Sequence, residues 1–288
     1  KGFVKVYKFI NNNWIQLGDS IPGENYGDWF GYSVSLSFDG ATLAIGSTNN
    51  NSKGQVKIFR YINSNWVQKG PNIEGESTSE NFGFSVSLSS DGNIVGVGAP
   101  FYSNKGIVRI YKFTSNSWSQ TGQSINGLNN NDEFGRSISI NSDGNVIAIG
   151  SYKNSGGGIL RGQTRVYKNI NNTWTLLGDD INGEYDYDYS SYTIGLSSNA
   201  QFVVIGSRNN SNSGAQRGQT RIYKLQNNKW IKIGQSINGK FNSERSGWSV
   251  SIDQDGKTIV IGAPFNSSVV NTAGCARVYK LECKYPKI

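Results

Sequence analysis

Between residues 82 and 98 apolar and polar positions change places at a regular interval. Phe82-Gly83-Phe84-Ser85-Val86-Ser87-Leu88-Ser89 alternates at period two, Asp91-Gly92 interrupts, and Ile94-Val95-Gly96-Val97-Gly98 follows as a short apolar run. Period two marks a half-buried strand, Asp-Gly a tight turn, and the apolar run a buried strand, so the segment predicts a hairpin. Gly106-Ile107-Val108-Arg109-Ile110-Tyr111 predicts a third strand, Ser115-Asn116-Ser117 a polar turn, and Trp118-Ser119-Gln120-Thr121-Gly122 a fourth strand. We call these strands a, b, c and d in chain order. Four antiparallel strands make one blade of a β-propeller.

The unit recurs. Trp14, Trp66, Trp118, Trp174 and Trp230 each open a W-x-x-x-G segment, and each lies 26 residues before Gly40, Gly92, Gly144, Ala200 and Gly256 in a D-G-type turn. Self-similarity at a period of 52 to 56 residues predicts an all-β chain of stacked four-stranded antiparallel blades rather than a helical enzyme. Five full repeats are visible, and strand c appears a sixth time, from Gly2-Phe3-Val4-Lys5-Val6-Tyr7 to Gly274-Cys275-Ala276-Arg277-Val278-Tyr279. Small residues in strands a and b suit the crowded inner part of a blade, and all five Trp are expected in the core between blades, each indole N–H finding an acceptor.

Length varies in one place. From the strand c Gly to the Trp is 12 residues in every copy, but from the turn to the next strand c Gly is 14, 14, 18, 18 and 18. The added residues fall in the b-to-c loop, which emerges at the same blade end as the d-to-a connection. Function concentrates where loops are long and free to vary, so ligands are expected on that face.

Composition narrows the classes. No apolar run is long enough to span a membrane, so no membrane insertion is expected, and the chain begins at Lys1 without an apolar leader. The net charge of +8 invites a nucleic-acid partner, but twelve basic residues sit at two recurring strand c positions, Lys5, Lys57, Arg109, Arg165, Arg221 and Arg277, then Lys8, Arg60, Lys112, Lys168, Lys224 and Lys280. Charge spread once per blade differs from a clustered footprint, so no nucleic acid is expected and both rows are expected to solvate an outer strand. Cys275 and Cys283 are candidates for a terminal disulfide, which would imply an oxidising compartment. Asn50, Asn171, Asn209 and Asn266 begin sequons.

His is absent, which removes Ser-His-Asp and Cys-His chemistry. No cofactor is expected. Each d-to-a loop carries acids, Glu24 and Asp28, Glu76 and Glu80, Asp132 and Glu133, Glu184 with Asp186 and Asp188, and Glu244. A carboxylate-dependent glycoside hydrolase is the third reading, behind two non-enzymatic ones. The local anomaly is Tyr185-Asp186-Tyr187-Asp188-Tyr189 with Tyr192, in the repeat where the F-G pair becomes Ser190-Ser191 and the turn becomes Asn199-Ala200. Its rings are candidates to stack on a ligand and its acids to bind it, with Tyr152, Lys153 and Arg161 as neighbours; packing of those tyrosines between blades is the alternative.

The string F-G-x-S-V/I-S-L/I, then D-G, then a strand ending G-A-P, then G-x-V-x-I-Y, resembles the FG-GAP repeat of integrin α-subunit propellers. It reads here as Phe30-Gly31, Phe82-Gly83 and Phe134-Gly135, with Gly98-Ala99-Pro100 and Gly262-Ala263-Pro264. The resemblance implies a propeller, usually of seven blades, displayed outside cells or on particle surfaces and binding proteins or glycans. Calcium-binding members carry D-x-D-x-D-G loops. Here Ser37-Phe38-Asp39-Gly40 and its counterparts are too poor in carboxylates, and only Asp253-Gln254-Asp255-Gly256 comes near. No metal is expected elsewhere. Closed alone, with the Trp14 strand completing the last blade, the chain makes five blades; with upstream repeats it makes six to seven. The start inside a K-G-x-V motif favours the second, with residues 1–288 as one domain that is the C-terminal part of a longer propeller. The leading functional expectation is a non-enzymatic module for adhesion or structural interaction, extracellular, secreted or on a cell or virion surface. Its partners would be a protein or glycan on the long-loop face, or copies in a multimeric surface or fibre assembly; the alternative is a glycan-binding lectin.

Overall fold

The computed structural model describes residues 1–267 and 273–281. The fold is all-β, a β-propeller of antiparallel four-stranded blades, with two single 3-10 turns, Asn50–Ser52 and Tyr102–Asn104, as its helical pieces among the described residues. Packing gathers the chain into two compact units, residues 1–144 with 169–174, and residues 145–168 with the described residues from 175 onward.

In the first unit, the first repeat contributes strands a Phe30–Leu36, b Thr42–Ser47, c Gln55–Ile62 and d Asn65–Gln68. The second contributes Ser85–Leu88, Ile94–Ala99, Ile107–Thr114 and Ser117–Gln120, and both sheets run a-b-c-d. In the second unit the fourth repeat gives Ser190–Leu196, Phe202–Ser207, Gln219–Gln226 and Lys229–Lys232 in the same order. The fifth gives Ser249–Ile252, Thr258–Ala263 and Cys275–Lys280, three strands among the described residues. Each complete blade also gains a two-residue strand that periodicity did not announce. Ile73–Glu74 returns beside the start of strand c, so that Val56 faces Ile73, and Ile125–Asn126 does the same in the next repeat. The strand of Trp14, Asn13–Gln16, pairs with Tyr7–Ile10 as a two-stranded hairpin.

The F-G pair is a seam between blades: it opens strand a in the first repeat, as Phe30-Gly31, and precedes strand a in the second. In the second repeat strand a begins at Ser85, and Phe82 bridges in parallel to Gly54. Across to the neighbouring blade, the Gly83 carbonyl oxygen lies 2.1 Å from where a Cβ on Gly46 of strand b would stand, so any side chain there would collide with backbone. The Ser33 hydroxyl donates to that same carbonyl at 2.7 Å, and Ser85 repeats the bond to Gly135 at 2.7 Å. Small strand a residues therefore answer crowding and also supply a donor.

The tryptophans form a second, outer seam. Trp66, Trp118, Trp174 and Trp230 donate Nε1–H to the carbonyls of Leu17, Lys69, Thr121 and Leu177 at 2.8 to 3.0 Å, each one blade back. Trp118, Trp174 and Trp230 are buried and Trp66 is half-buried, as expected of core residues. Trp14 is not: it is 70% exposed, with Phe9 as its ring neighbour at 5.2 Å between centroids. Trp118→Ala removes both a buried plate and its bond, and is expected to cost about 3–5 kcal/mol, read as a lower denaturant midpoint at unchanged slope. Trp14→Ala should stay within about 0.5 kcal/mol of the parent; equal losses would show that the carbonyl seat is not what stabilises the blades.

Candidate functional site

Each d-to-a loop folds around a buried acid, at Asp28, Glu80, Asp132, Asp188 and Glu244, and the third loop buries Glu133 as well. The carboxylate accepts N–H groups of its own loop: Asn25 to Asp28 at 3.1 Å, Ser77 to Glu80 at 3.3 Å, Asn129 to Asp132 at 3.3 Å, Tyr185 to Asp188 at 3.0 Å and Lys240 to Glu244 at 2.7 Å. A b-to-c loop asparagine ties down the other side, Asn50 to Asp28 at 3.1 Å, Asn210 to Asp188 at 2.8 Å, and Asn266 to Glu244. These acids hold the two loops of the long-loop end together, which is a structural use of the residues that a glycosidase would need as acid and nucleophile.

The first row of strand c charges corrects an expectation. Lys57, Arg109 and Arg221 are buried and Arg165 and Arg277 half-buried, not solvating an outer strand, while Lys5 is exposed as expected. Arg109 reaches Glu76 at 2.9 Å and Glu80 at 3.5 Å, Arg165 reaches Asp180 at 2.8 Å, Arg277 grips Glu244 at 2.8 and 2.9 Å, and Lys57 pairs with Glu24. In the second row Lys8, Arg60, Lys112, Lys168 and Lys280 are exposed, as expected, and Lys224 is half-buried. Arg221 differs from its counterparts, giving its N–H groups to the Ser190 hydroxyl at 2.6 Å, the Asn182 carbonyl at 3.0 Å and the Tyr223 hydroxyl at 2.9 Å.

The tyrosine–acid loop separates into distinct roles. Tyr185 and Tyr187 are exposed, while Asp188 is 1% exposed and committed to its loop. Asp186 pairs with Arg161 at 2.7 Å, and one repeat later Asn242 holds Arg217 at 2.9 Å in the same way, so Arg161 is a loop tie of the longer b-to-c loops. Tyr189 turns inward onto the buried Tyr152, centroids 5.7 Å apart, with Lys153 over the Tyr152 ring. The packing alternative therefore describes Tyr189 and Tyr152, and the exposed alternative describes Tyr185 and Tyr187.

Tyr152 and Tyr189 belong to a larger array that the sequence reading missed. Tyr152 meets Tyr192 edge-on at 5.6 Å, Tyr192 meets Trp248 at 5.3 Å, and Trp248 meets Phe265 at 5.6 Å. The Arg208 guanidinium lies 3.8 Å from the Tyr192 ring and 4.5 Å from that of Trp248, and Arg245 lies 5.1 Å from Phe265. Tyr192 and Trp248 are half-buried and Phe265 exposed. In the first unit the same column carries a shorter run, Trp29, Tyr32, Phe84 and Phe101, with Arg136 over Phe84 at 4.9 Å. The available signal was the residue after each F-G pair, Tyr32, Phe84, Arg136, Tyr192 and Trp248, which is large at a place where its neighbours are small.

The remaining candidates are placed as follows. Asp39 sits in its turn with the Ser37 hydroxyl donating at 2.6 Å, which, with the Ala41 N–H, holds its carboxyl below the usual aspartate range. Asp253 and Asp255 both accept the Lys257 N–H, and Asp255 pairs with the Lys257 ammonium at 2.9 Å. No cluster of three or more metal-ligating side chains occurs among the described residues. Asn50 and Asn266 are buried with their amides bonded to acids; Asn171 is exposed and Asn209 half-buried. Cys283, and with it the expected pairing to Cys275, lies outside the described residues.

No family model and no curated protein matches the sequence. Solved structures share the fold. Hydrazine synthase of Kuenenia stuttgartiensis is 12% identical with a TM-score of 0.57, covering 90% of this chain and 67% of its own. A putative 6-phosphogluconolactonase of Bacteroides uniformis is 10% identical with a TM-score of 0.61, covering 97% and 78%. At that identity the likeness is one of fold.

Two acids at one repeat position titrate in opposite directions. Burial pushes the Asp188 carboxyl up, and its hydrogen bonds and Arg221 do not offset that. Burial pushes Glu244 up too, but Arg277, then Asn266 and the Lys240 N–H, bring it below the usual glutamate range. A lowered folded-state value means stability that is present at neutral pH and lost as pH falls through that value. Glu244→Gln should therefore cost about 3 kcal/mol at neutral pH, and the gap to the parent should close as the parent is acidified through and below the usual glutamate range. A gap that stays constant in urea melts across that range would refute the pairing. Asp188→Ala, by stranding its buried donors, should cost about 2 kcal/mol, whereas Tyr187→Ser should leave the thermal midpoint in place.

Proposed function

We propose that this protein is a non-enzymatic interaction module, a β-propeller that binds a protein ligand through the aromatic–arginine array at the long-loop end of its fourth and fifth repeats. The observation that carries the reading is the stack of Arg208 on Tyr192 and Trp248, flanked by Arg245 and Phe265. Trp, Tyr and Arg dominate the energetics of protein interfaces, and aromatic rings give large contact area while losing little conformational freedom on binding. The ligand chemistry that complements it is a segment with carboxylates beside apolar or aromatic side chains. Work outside cells or on a particle surface is part of the proposal, supported by the resemblance to FG-GAP repeats. The opposing argument for hydrolysis is weakened by the acids, which are spent on N–H groups, asparagines and strand c cations.

The test is binding of the purified protein to a panel of acidic, aromatic-bearing peptides and, in parallel, to a broad glycan array. Saturable peptide binding that falls about tenfold, or about 1.4 kcal/mol, in Phe265→Ser and in Arg245→Ala at unchanged melting temperature supports the proposal. Binding to one sugar class with no peptide binding would replace it by the lectin reading, and peptide binding that survives both substitutions would move the site elsewhere.

A further inference from the structure

Two d-to-a loops of the second unit are cast on one backbone. Gly183 and Gly239 donate their N–H groups to the Gly162 and Gly218 carbonyls at 2.8 and 2.9 Å, and Ser190 and Ser246 donate to those of Arg161 and Arg217 at 2.9 Å. At the loop tips Tyr187 and Ser243 donate to Ile159 and Ala215 at 2.8 Å, with left-handed φ of 63° and 61°. Each loop is therefore laced to the b-to-c loop of the blade before it by the same bonds, and the side chains of the two loops occupy equivalent places.

In those places the charge has changed sign. Glu184, Asp186 and Tyr189 of the fourth-repeat loop become Lys240, Asn242 and Arg245 in the fifth, and each replacement moves the loop towards positive charge. In the fourth loop the charges are matched, Asp186 to Arg161 at 2.7 Å and Glu184 to Lys232 at 2.7 Å. In the fifth, Arg217 stands where Arg161 does but meets the neutral Asn242 at 2.9 Å, and Arg245 donates to the neutral Gln216 at 3.2 Å. Lys240 is exposed. The acid of this loop, Glu244, is fully buried, with both oxygens on Arg277. Arg217, Lys240 and Arg245 thus form no ion pair among the described residues.

An ion pair cancels most of its own field within a few ångströms, whereas cations beside neutral amides keep theirs and extend it into solvent. The exposed ring between the changed positions persists, Tyr185 in one loop and Phe241 in the other, 44% and 48% exposed. Arg245 joins this loop to the aromatic array, its guanidinium 5.9 Å from the Trp248 ring and 5.1 Å from that of Phe265. The cations therefore stand at the margin of the rings.

We propose, resting on the reading of the array as a protein-binding surface, that Arg217, Lys240 and Arg245 form a basic rim that steers acidic protein segments onto the rings. Charges at the rim of an interface act across solvent during approach and set the association rate and its salt dependence, while the packed rings set how long the complex lasts. The fourth-repeat loop, whose Arg161 and Lys232 are matched by acids, exerts little pull on such a segment, so the segment arrives over the fifth-repeat loop first.

Stopped-flow association of the whole chain with labelled peptides that set aromatic residues beside runs of Asp and Glu tests this, in parallel with the same peptides carrying Lys in place of the acids. The variant is Lys240→Glu with Asn242→Asp, which writes the fourth-repeat acids onto the fifth-repeat loop and sets an acid against Arg217 as Asp186 stands against Arg161. Repeat four carries those acids on the same backbone, so the melting curve should not move. Association of the acidic peptide is expected to slow about tenfold at about 0.15 M salt, and the difference to close at about 1 M, where the screening length is about 3 Å. Its dissociation should change little, and the Lys-bearing peptide should associate faster with the variant than with the parent. Lys240→Gln, which neutralises without reversing, should give an intermediate rate. Phe265→Ser should act on dissociation instead. Unchanged association in the charge variant, with dissociation still faster in Phe265→Ser, overturns the rim and leaves the array standing. An equal slowing of both peptides also overturns it, as damage to the surface. A parent that binds none of the acidic peptides overturns array and rim together.

Discussion

The rest of the structure depends on how closely the backbone of one blade approaches the next at the F-G seam. With the Gly83 carbonyl 2.1 Å from the missing Cβ of Gly46, the sheets can neither slide nor rotate without a collision or a lost bond to Ser33. A contact between backbone atoms is indifferent to most side chains, so it holds while the loops around it change. Fixing the inner seam sets the distance at which the sheets splay farther out, and that widening gap is what an indole fills. The Trp seat is thus the outer half of one geometric constraint whose inner half is the glycine pair, and the fixed spacing of Trp to turn keeps both halves in step.

Much of this was written in the spacing. The alternation at Phe84 to Ser89, the turn at Asp91-Gly92 and the W-x-x-x-G column predict strand order, blade composition and an indole needing an acceptor, because each depends on a local period. Where a side chain points across blades depends on pairs far apart in sequence, and there the reading fell short. Lys57 and Arg60 are three residues apart on one strand and so face opposite sides of the sheet; taking both rows as solvent-facing overlooked that only one of two faces can be outside. Arg161 stood out as a candidate ligand because it lies in a lengthened loop, yet its tie to Asp186 repeats as Arg217 to Asn242, a pairing of loops 25 residues apart. The aromatic array was legible as a column after the F-G pairs, but not as a surface, since Tyr152, Arg208 and Phe265 join it from a different loop in each repeat.

The buried strand c cations change what the net charge means. A guanidinium taken from water is costly unless its donors are met, and the blades meet this in the loops, where the acids also order the backbone that presents the variable surface. Part of the chain's basic excess is therefore internal and compensated, and the exposed row of strand c carries part of the charge that faces solvent. Arg208 and Arg245 lie on rings, Arg245 also donating to Gln216, whereas Arg109 and Arg277 meet carboxylates.

The fourth repeat shows how such a scaffold diverges without unfolding. There the F-G pair is Ser190-Ser191, and Ser191 still takes the left-handed backbone of the glycine it replaces, at φ 69°. With no phenyl ring beside it, Arg221 turns to the Ser190 hydroxyl, the Asn182 carbonyl and Tyr223, whereas Arg277 one repeat later keeps both carboxylate oxygens of Glu244. Asp188 consequently holds its loop without a close cationic partner, and burial wins over its hydrogen bonds, while at Glu244 the bonds win. Each blade thus solves the same buried-charge problem within its own loops. Because the solution is local, a change at Ser190 is not transmitted to Glu244, and a repeat can lose its consensus, gain rings at Tyr189 and Tyr192 and still stack in register on the seams that all the blades share.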